Sequence, residues 1–183
     1  MLFSLKELEV KKIRFDVTFE AGELDYLDPK LRQSGPLWSD GVAELVGSTR
    51  EIRVRGHFQT KILTECDRCL ESAVFLLNQN FDLFYRPPLE ASELVEETGL
   101  DEGSIDLGFY EGEGLKLEDV LQEQVLLAMP MQRLCRPDCK GICPVCGQNR
   151  NWTACGCEAR LADDRWAVLK DWKLGHKIHS EGK

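Results

Sequence analysis

No stretch of this 183-residue chain has the unbroken apolar run of a transmembrane helix, which argues against a membrane role. Its opening residues mix acids and bases around short apolar patches, with no leader-like apolar segment to mark export. Histidine is scarce: there are three, His57, His176 and His179, and none stands among the cysteines at a ligand spacing. The chain has no glycine-rich phosphate loop, no H-E-x-x-H and no nucleophile elbow. These absences leave an enzyme with little to work with, and no small-molecule substrate is expected. One region also lacks positive charge. Residues 87–114 contain nine acids (Glu90, Glu93, Glu96, Glu97, Asp101, Glu102, Asp106, Glu111 and Glu113) and no Lys or Arg. The net charge of −9 is therefore local: the rest of the chain holds 23 acids and 23 bases, which leaves room for a basic face elsewhere.

What the chain does have is cysteine. Eight stand in four close pairs: Cys66-x2-Cys69, Cys135-x3-Cys139, Cys143-x2-Cys146 and Cys155-x-Cys157. Two thiolates one to three residues apart can reach one ion from a tight turn, and two such turns complete a tetrahedral all-thiolate shell. Four pairs make two closed sites, and zinc is the ion that such structural sites usually hold. Two zinc ions per chain are expected. A disulfide framework would use the same even count, but such scaffolds belong to short secreted domains. Iron–sulfur proteins space their cysteines differently, and a thioredoxin-like motif would need a βαβ pattern that is absent here. Eight thiolates fill two shells and leave no open position of the kind catalytic zinc requires.

Hydrophobic content of 43% and charged content of 30% fit an ordinary globular protein, long enough for one core and a small accessory module. Ile13, Phe15, Val17 and Phe19 alternate with polar residues, predicting a half-buried strand. Residues 20–41, broken by glycine and proline, read as loop and turns, followed by a short strand over 42–46. Residues 51–64 alternate again, with Ile52, Val54, Phe58 and Ile62 on one face and Arg53, Arg55, His57, Gln59 and Lys61 on the other. Residues 75–85 place Phe75, Leu77, Phe81, Leu83 and Tyr85 on one face, so the intervening C-x2-C predicts an antiparallel hairpin with a metal-binding turn. The acidic stretch reads as an exposed loop. Leu117, Val120, Leu121, Val125 and Ala128 then follow helical spacing up to Pro130, with Glu118 and Asp119 in the first turn, where the helix dipole favours them.

The cysteine-rich segment has too few large apolar residues to make a core, so metal must organise it. A last short helix over 164–172 and a basic tail close the chain. These elements predict an α+β fold: an antiparallel, barrel-like sheet with one main helix and a C-terminal zinc-binding module. The expected divisions are an α+β core over 1–130 carrying the acidic loop 87–114, a cysteine-rich module over 131–160, and the helix and tail over 161–183.

Cys66-Asp67-Arg68-Cys69-Leu70-Glu71 resembles the C-x-R-C-L-E signature of the YceD family of bacteria and plastids. Leu126-Leu127-Ala128-Met129-Pro130 is similar to the helix end that precedes the family's second cysteine cluster. The run from Cys139 to Asn149 follows the C-K-G-L-C-P-x-C-G-x-N stretch of longer members, with Ile142 in place of Leu, Arg150 where Leu often stands, and Asn151 restoring the pattern. Asp163-Asp164-Arg165 resembles a D-P-R motif with Asp164 replacing proline. The resemblance implies a cytoplasmic, non-enzymatic role in accumulation of large-subunit ribosomal RNA. It also implies one self-sufficient site of Cys66, Cys69, Cys135 and Cys139, because some members lack the later cysteines. Cys143, Cys146, Cys155 and Cys157 would form the second. Spacing alone also permits Cys135, Cys139, Cys143 and Cys146 together, with Cys155 and Cys157 joining Cys66 and Cys69.

Two classes of function compete. In the first, the protein binds ribosomal RNA or a pre-ribosomal particle through Arg53, Arg55, His57 and Lys61, with Arg50 and Arg68 nearby. The plain alternative is that this is a solvated strand face, and that Arg68 serves only to shield or hydrogen-bond the thiolates. In the second, the acidic segment 90–113 holds a basic ribosomal protein, with Leu94, Val95, Leu100, Ile105, Leu107, Phe109 and Tyr110 as apolar anchors. The plain alternative there is a solubilising loop.

Overall fold

The computed structural model describes residues 1–47, 50–88 and 107–157. The expected helix over 164–172, the basic tail, and most of the acidic segment lie outside the described residues. Within them, β1 (Leu2–Ser4) and the four-residue α1 (Leu5–Leu8) precede β2 (Ile13–Phe19), β3 (Arg32–Gln33), β4 (Leu37–Val46), β5 (Glu51–Glu65) and β6 (Ser72–Arg86). Then come β7 (Leu107–Phe109), β8 (Gly114–Lys116) and the main helix α2 (Leu117–Ala128). The main sheet runs β2-β4-β5-β6-β7, with β3 pairing the far end of β5, and β1 and β8 form a separate two-stranded ribbon. All pairings are antiparallel except β6 with β7, which is parallel.

The fold is α+β as expected, but the sheet does not close into a barrel. Its edge strands β2 and β7 do not pair with each other. A small barrel fills its interior with strand side chains alone. Here α2 supplies the cover, with Leu117, Val120, Leu121 and Val125 buried in the same core as Phe15, Leu37, Ile52, Val54, Phe58, Ile62, Leu77, Phe81 and Tyr85. Burying each large apolar side chain of this kind contributes about 1.5–3 kcal/mol.

The alternation read from 51–64 and 75–85 is the register of one long hairpin, from Ile52 opposite Tyr85 to Glu65 opposite Ser72. β4 is ten residues long and begins at Leu37, inside the stretch expected to be loop. Gly41 is the reason for that difference. It faces Gly56 across the β4–β5 pair, and a Cβ on either residue would collide with backbone and with a ring, Phe15 at 2.6 Å or Phe81 at 2.9 Å. These glycines admit aromatic rings against the sheet and do not break the strand.

The end of the acidic segment also differs from the expected loop. Leu107–Phe109 is strand β7, and Tyr110 is buried, its hydroxyl donating to the Arg50 carbonyl at 2.7 Å. Tyr110 is thus a core residue and not a free anchor for a partner.

Candidate metal centres

The hairpin of β5 and β6 turns through residues 66–71. The Cys66 amide donates to the Glu71 carbonyl at 2.8 Å and the Leu70 amide to the Cys66 carbonyl at 2.9 Å, with Leu70 in the left-handed region (φ 62°). This tight turn aims Cys66 and Cys69 the same way. The chain returns to it after α2: the Asp67 amide donates to the Arg133 carbonyl, the Arg133 amide donates to Asp67 Oδ2 at 2.6 Å, and the Arg133 guanidinium pairs with Asp28 at 2.9 Å. Cys135 and Cys139 are thereby delivered to the first pair.

The sulfurs of Cys66, Cys69, Cys135 and Cys139 all lie within 4.8 Å of one another, and so do those of Cys143, Cys146, Cys155 and Cys157. Spacing alone left two partitions open, and the sulfurs gather in the one that closes each group on its own. Cys66 and Cys139 sulfurs are 3.8 Å apart and those of Cys69 and Cys135 3.6 Å. A metal bound about 2.3 Å from four tetrahedral sulfurs would set them about 3.8 Å apart. A disulfide would need about 2.05 Å. Both groups of four could hold a metal ion, and the donor set suits a soft, tetrahedral one.

The electrostatics make the same point. Four thiols this close cannot all ionise without a cation between them, because each thiolate disfavours the next. Burial raises the Cys66 thiol, but the amides of Cys135, Cys69 and Arg68 outweigh it and hold Cys66 at about 6. Desolvation and the neighbouring thiols push Cys135 up to about 12. In the second group the Cys146 and Val145 amides hold Cys143 at about 6, while Cys146 and then desolvation push Cys157 up to about 12.

The groups differ in setting. Cys66, Cys69 and Cys139 are buried beside Ala73, Phe75 and Leu134. In the second group only Cys143 is buried, and Cys146 and Cys157 are exposed. The segment between the groups folds back onto the first. Ile142 and Asn149 form a β-bridge, the Ile142 amide donates to the Arg68 carbonyl, and the Arg150 amide donates to the Gly141 carbonyl. Asn151 donates through Nδ2 to the Cys139 sulfur at 3.4 Å and accepts from the Lys140 amide at 2.8 Å. Gly141 (φ 71°) permits this approach, since a Cβ there would lie 2.9 Å from the Arg68 carbonyl. Sequence reasoning placed Asn151 in a motif without a role, and only the fold brings it to a thiolate.

Of the six candidate RNA-binding residues, Arg53, Arg55, His57 and Lys61 stand at odd positions of β5, and Arg50 and Arg68 stand in the turns at its two ends. Arg53 makes two hydrogen bonds to Asp82, at 2.8 and 2.6 Å, and lies over the Phe84 ring. Arg55 stands 3.9 Å from Glu44, which also pairs with Lys12. His57 faces Asp40 at 4.0 Å and contacts Asn78. Arg50 sits in the turn between β4 and β5, with its carbonyl bound by Tyr110. Arg68 donates to the Cys139 carbonyl at 3.1 Å, a contact that holds the two knuckles together. Lys61 is exposed, with no carboxylate within 4 Å among the described residues.

Fold and sites together define a class: an α+β protein built on a long-hairpin sheet, with two groups of four cysteines able to hold metal. Comparison with known proteins narrows it further. The chain belongs to the YceD family, described as large ribosomal RNA subunit accumulation protein, whose model matches residues 54–173 and takes in all eight cysteines. Uncharacterized proteins of Mycobacterium bovis and of two Mycobacterium tuberculosis strains are 30% identical to it over 119 residues. The match covers 64% of this chain and 54% of each relative, so the chain spans about half the length of these curated relatives. No solved structure matches the chain. Among the described residues, no helix is long and apolar enough to cross a membrane.

Proposed function

We propose that this protein is a non-catalytic, zinc-stabilised factor for accumulation of large-subunit ribosomal RNA, acting in the cytoplasm on ribosomal RNA or a pre-ribosomal particle. The observation that carries the reading is the family match across all eight cysteines, on a scaffold whose sulfur spacings suit two four-cysteine zinc sites. Each site would hold one zinc and supply structure: Cys66, Cys69, Cys135 and Cys139 lock the sheet hairpin to the segment after α2, and Cys143, Cys146, Cys155 and Cys157 fold the C-terminal module. Residues 1–130 act as the core and 131–160 as the zinc module. RNA is met by the outer face of the sheet, with Lys61 as the foremost contact on β5. Arg53, Arg55 and His57 contribute less because they face carboxylates of neighbouring strands, and Arg50 and Arg68 stand in the adjoining turns.

Co-sedimentation with ribosomal precursors at graded salt, followed by crosslink mapping, tests this reading. Salt-sensitive association with large-subunit precursors is expected, with crosslinks on the sheet face. Co-sedimentation with no precursor, or capture of a basic ribosomal protein alone with the acidic segment as the contact, would contradict it.

A further inference from the structure

The outer face of the sheet divides into two halves of different chemistry. Toward the β4–β5 turn, its basic side chains already face carboxylates: Arg53 faces Asp82, Arg55 and Lys12 face Glu44, and the His57 ring lies 4.0 Å from Asp40. A phosphate arriving there would have to displace a carboxylate from each. Toward the cysteine knuckle β5 carries a single outward acid, Glu65, which pairs with Lys30 at 3.9 Å. Register places Trp38 opposite Gln59, Gln59 opposite Asn78, Lys61 opposite Leu76 and Arg32 opposite Leu63. Neither Lys61 nor Arg32 has a carboxylate within 4 Å among the described residues.

Trp38 is unusual on such a face. Its ring is held, with the indole N–H donating to Asp16 Oδ1 at 2.8 Å and the His57 ring against it at 5.7 Å in an edge-on contact. It nonetheless remains 38% exposed, and Leu76 beside the same hollow is 72% exposed. The hollow, about 300 Å³, is lined by Ser34, Pro36, Trp38, Gln59, Lys61 and Leu76. Lys61 is diagonal to Trp38 across the strand pair, a separation of about 7–8 Å. From Gln59 to Leu63, where Arg32 pairs, β5 advances about 13 Å at strand rise, the span of roughly two nucleotides.

We propose that this half of the sheet is a single-strand RNA site: Trp38 stacks an unpaired base, Gln59 and Asn78 offer amides to its edge, and Lys61 and Arg32 meet the adjoining phosphates. The inference rests on the RNA reading above and names the RNA form that the face takes. A fixed, part-open aromatic ring stacks on any base without needing its sequence, while unpaired cations track the backbone. Base-paired RNA hides its base faces, so Trp38 could not act on a duplex.

The test uses the full chain with an oligouridylate of roughly ten nucleotides, a length within the site sizes of single-strand binders, and a duplex of equal length. Trp38→Leu is expected to weaken single-strand binding roughly 10- to 100-fold, and Trp38→Phe to retain most of it. Lys61→Gln is expected to lower the log–log salt slope by about 0.7, with Arg53→Gln changing it less. Ultraviolet crosslinking of the unaltered protein to oligouridylate should mark the peptide containing Trp38, which decides the matter even if the Leu variant fails to fold. If ribosomal RNA binds but Trp38→Leu binds single strands as tightly, or Trp38 takes no crosslink, this inference falls and the wider RNA reading stands. If no RNA binds at all, the wider reading falls with it. Loss of binding to a basic ribosomal protein, and not to RNA, in the Trp38→Leu protein would make the hollow a protein-docking site and overturn the inference.

Discussion

The two cysteine groups share one donor set and differ in what holds them. The first is sunk into the sheet: its knuckle is the turn of the longest hairpin, three of its four cysteines are buried, and its second pair arrives from beyond α2. The second group closes within residues 143–157 and leaves two of its cysteines exposed. Sulfur geometry is therefore not what separates a fold-wide tie from a local one. The difference lies in the length of chain that each site closes and in how much water can reach it. A site joining residues 69 and 135 constrains everything between them, including α2, whereas one joining 146 and 155 constrains a single loop.

The largest test of that contrast is a pair of substitutions. Cys66→Ser should disturb the whole sheet, because structural zinc sites contribute roughly 10–16 kcal/mol in small peptides and this one anchors the main hairpin. At about 2–4 °C per kcal/mol for a chain of this size, its melting temperature should fall by tens of degrees. Cys155→Ser should leave the sheet's melting transition in place and loosen the C-terminal module alone. Equal global unfolding of both variants, followed by circular dichroism, would erase the distinction.

A smaller effect should appear on chelation. With Cys146 and Cys157 exposed, the second site should surrender its metal to a chelator first, in a phase separate from the first site. A chromophoric chelator followed over time would show two steps, and a single step would argue that the sites open together.

Smaller again is the effect of Asn151, whose side-chain amide reaches a first-site thiolate from the later segment. Asn151→Ala should weaken metal at the first site about 10- to 100-fold, the usual cost of removing a group that hydrogen-bonds a ligand. Competition titration of the unaltered chain and the Asn151→Ala protein, read in the slower-releasing phase that belongs to the first site, measures that effect, and unchanged affinity there would show that the two segments merely touch. The smallest effect concerns the committed half of the sheet face. Arg53→Gln with Arg55→Gln should flatten the salt dependence of RNA binding less than Lys61→Gln alone, a ranking that salt titrations would confirm or reverse.

Much of this was legible in the sequence, for stated physical reasons. Period-two alternation along β5 and β6 fixed which face each residue takes, and 3.6-residue spacing fixed α2 to its end residues. What escaped were features created by two distant segments together. Gly41 reads as a breaker until Gly56 is set opposite it, with Phe15 and Phe81 filling the gap. Leu107–Phe109 is too short to show a period and becomes a strand only through pairing with β6. Barrel closure is a property of edges, which no single strand's pattern records. At the site, the cysteines announced themselves by spacing, but Asn151 and Arg133 had no local signal. The basic stripe showed its charges and not their partners, because Asp82 and Glu44 come from neighbouring strands.

The central claim, two separate four-cysteine zinc sites of which one is built into the sheet, is tested most directly by native mass spectrometry of the reduced protein and its Cys155→Ser variant. The account predicts two zinc ions and eight unoxidised cysteines in the unaltered chain, and one zinc on a folded Cys155→Ser protein. A metal-free chain carrying four disulfides, or a variant that loses both ions at once, would contradict it.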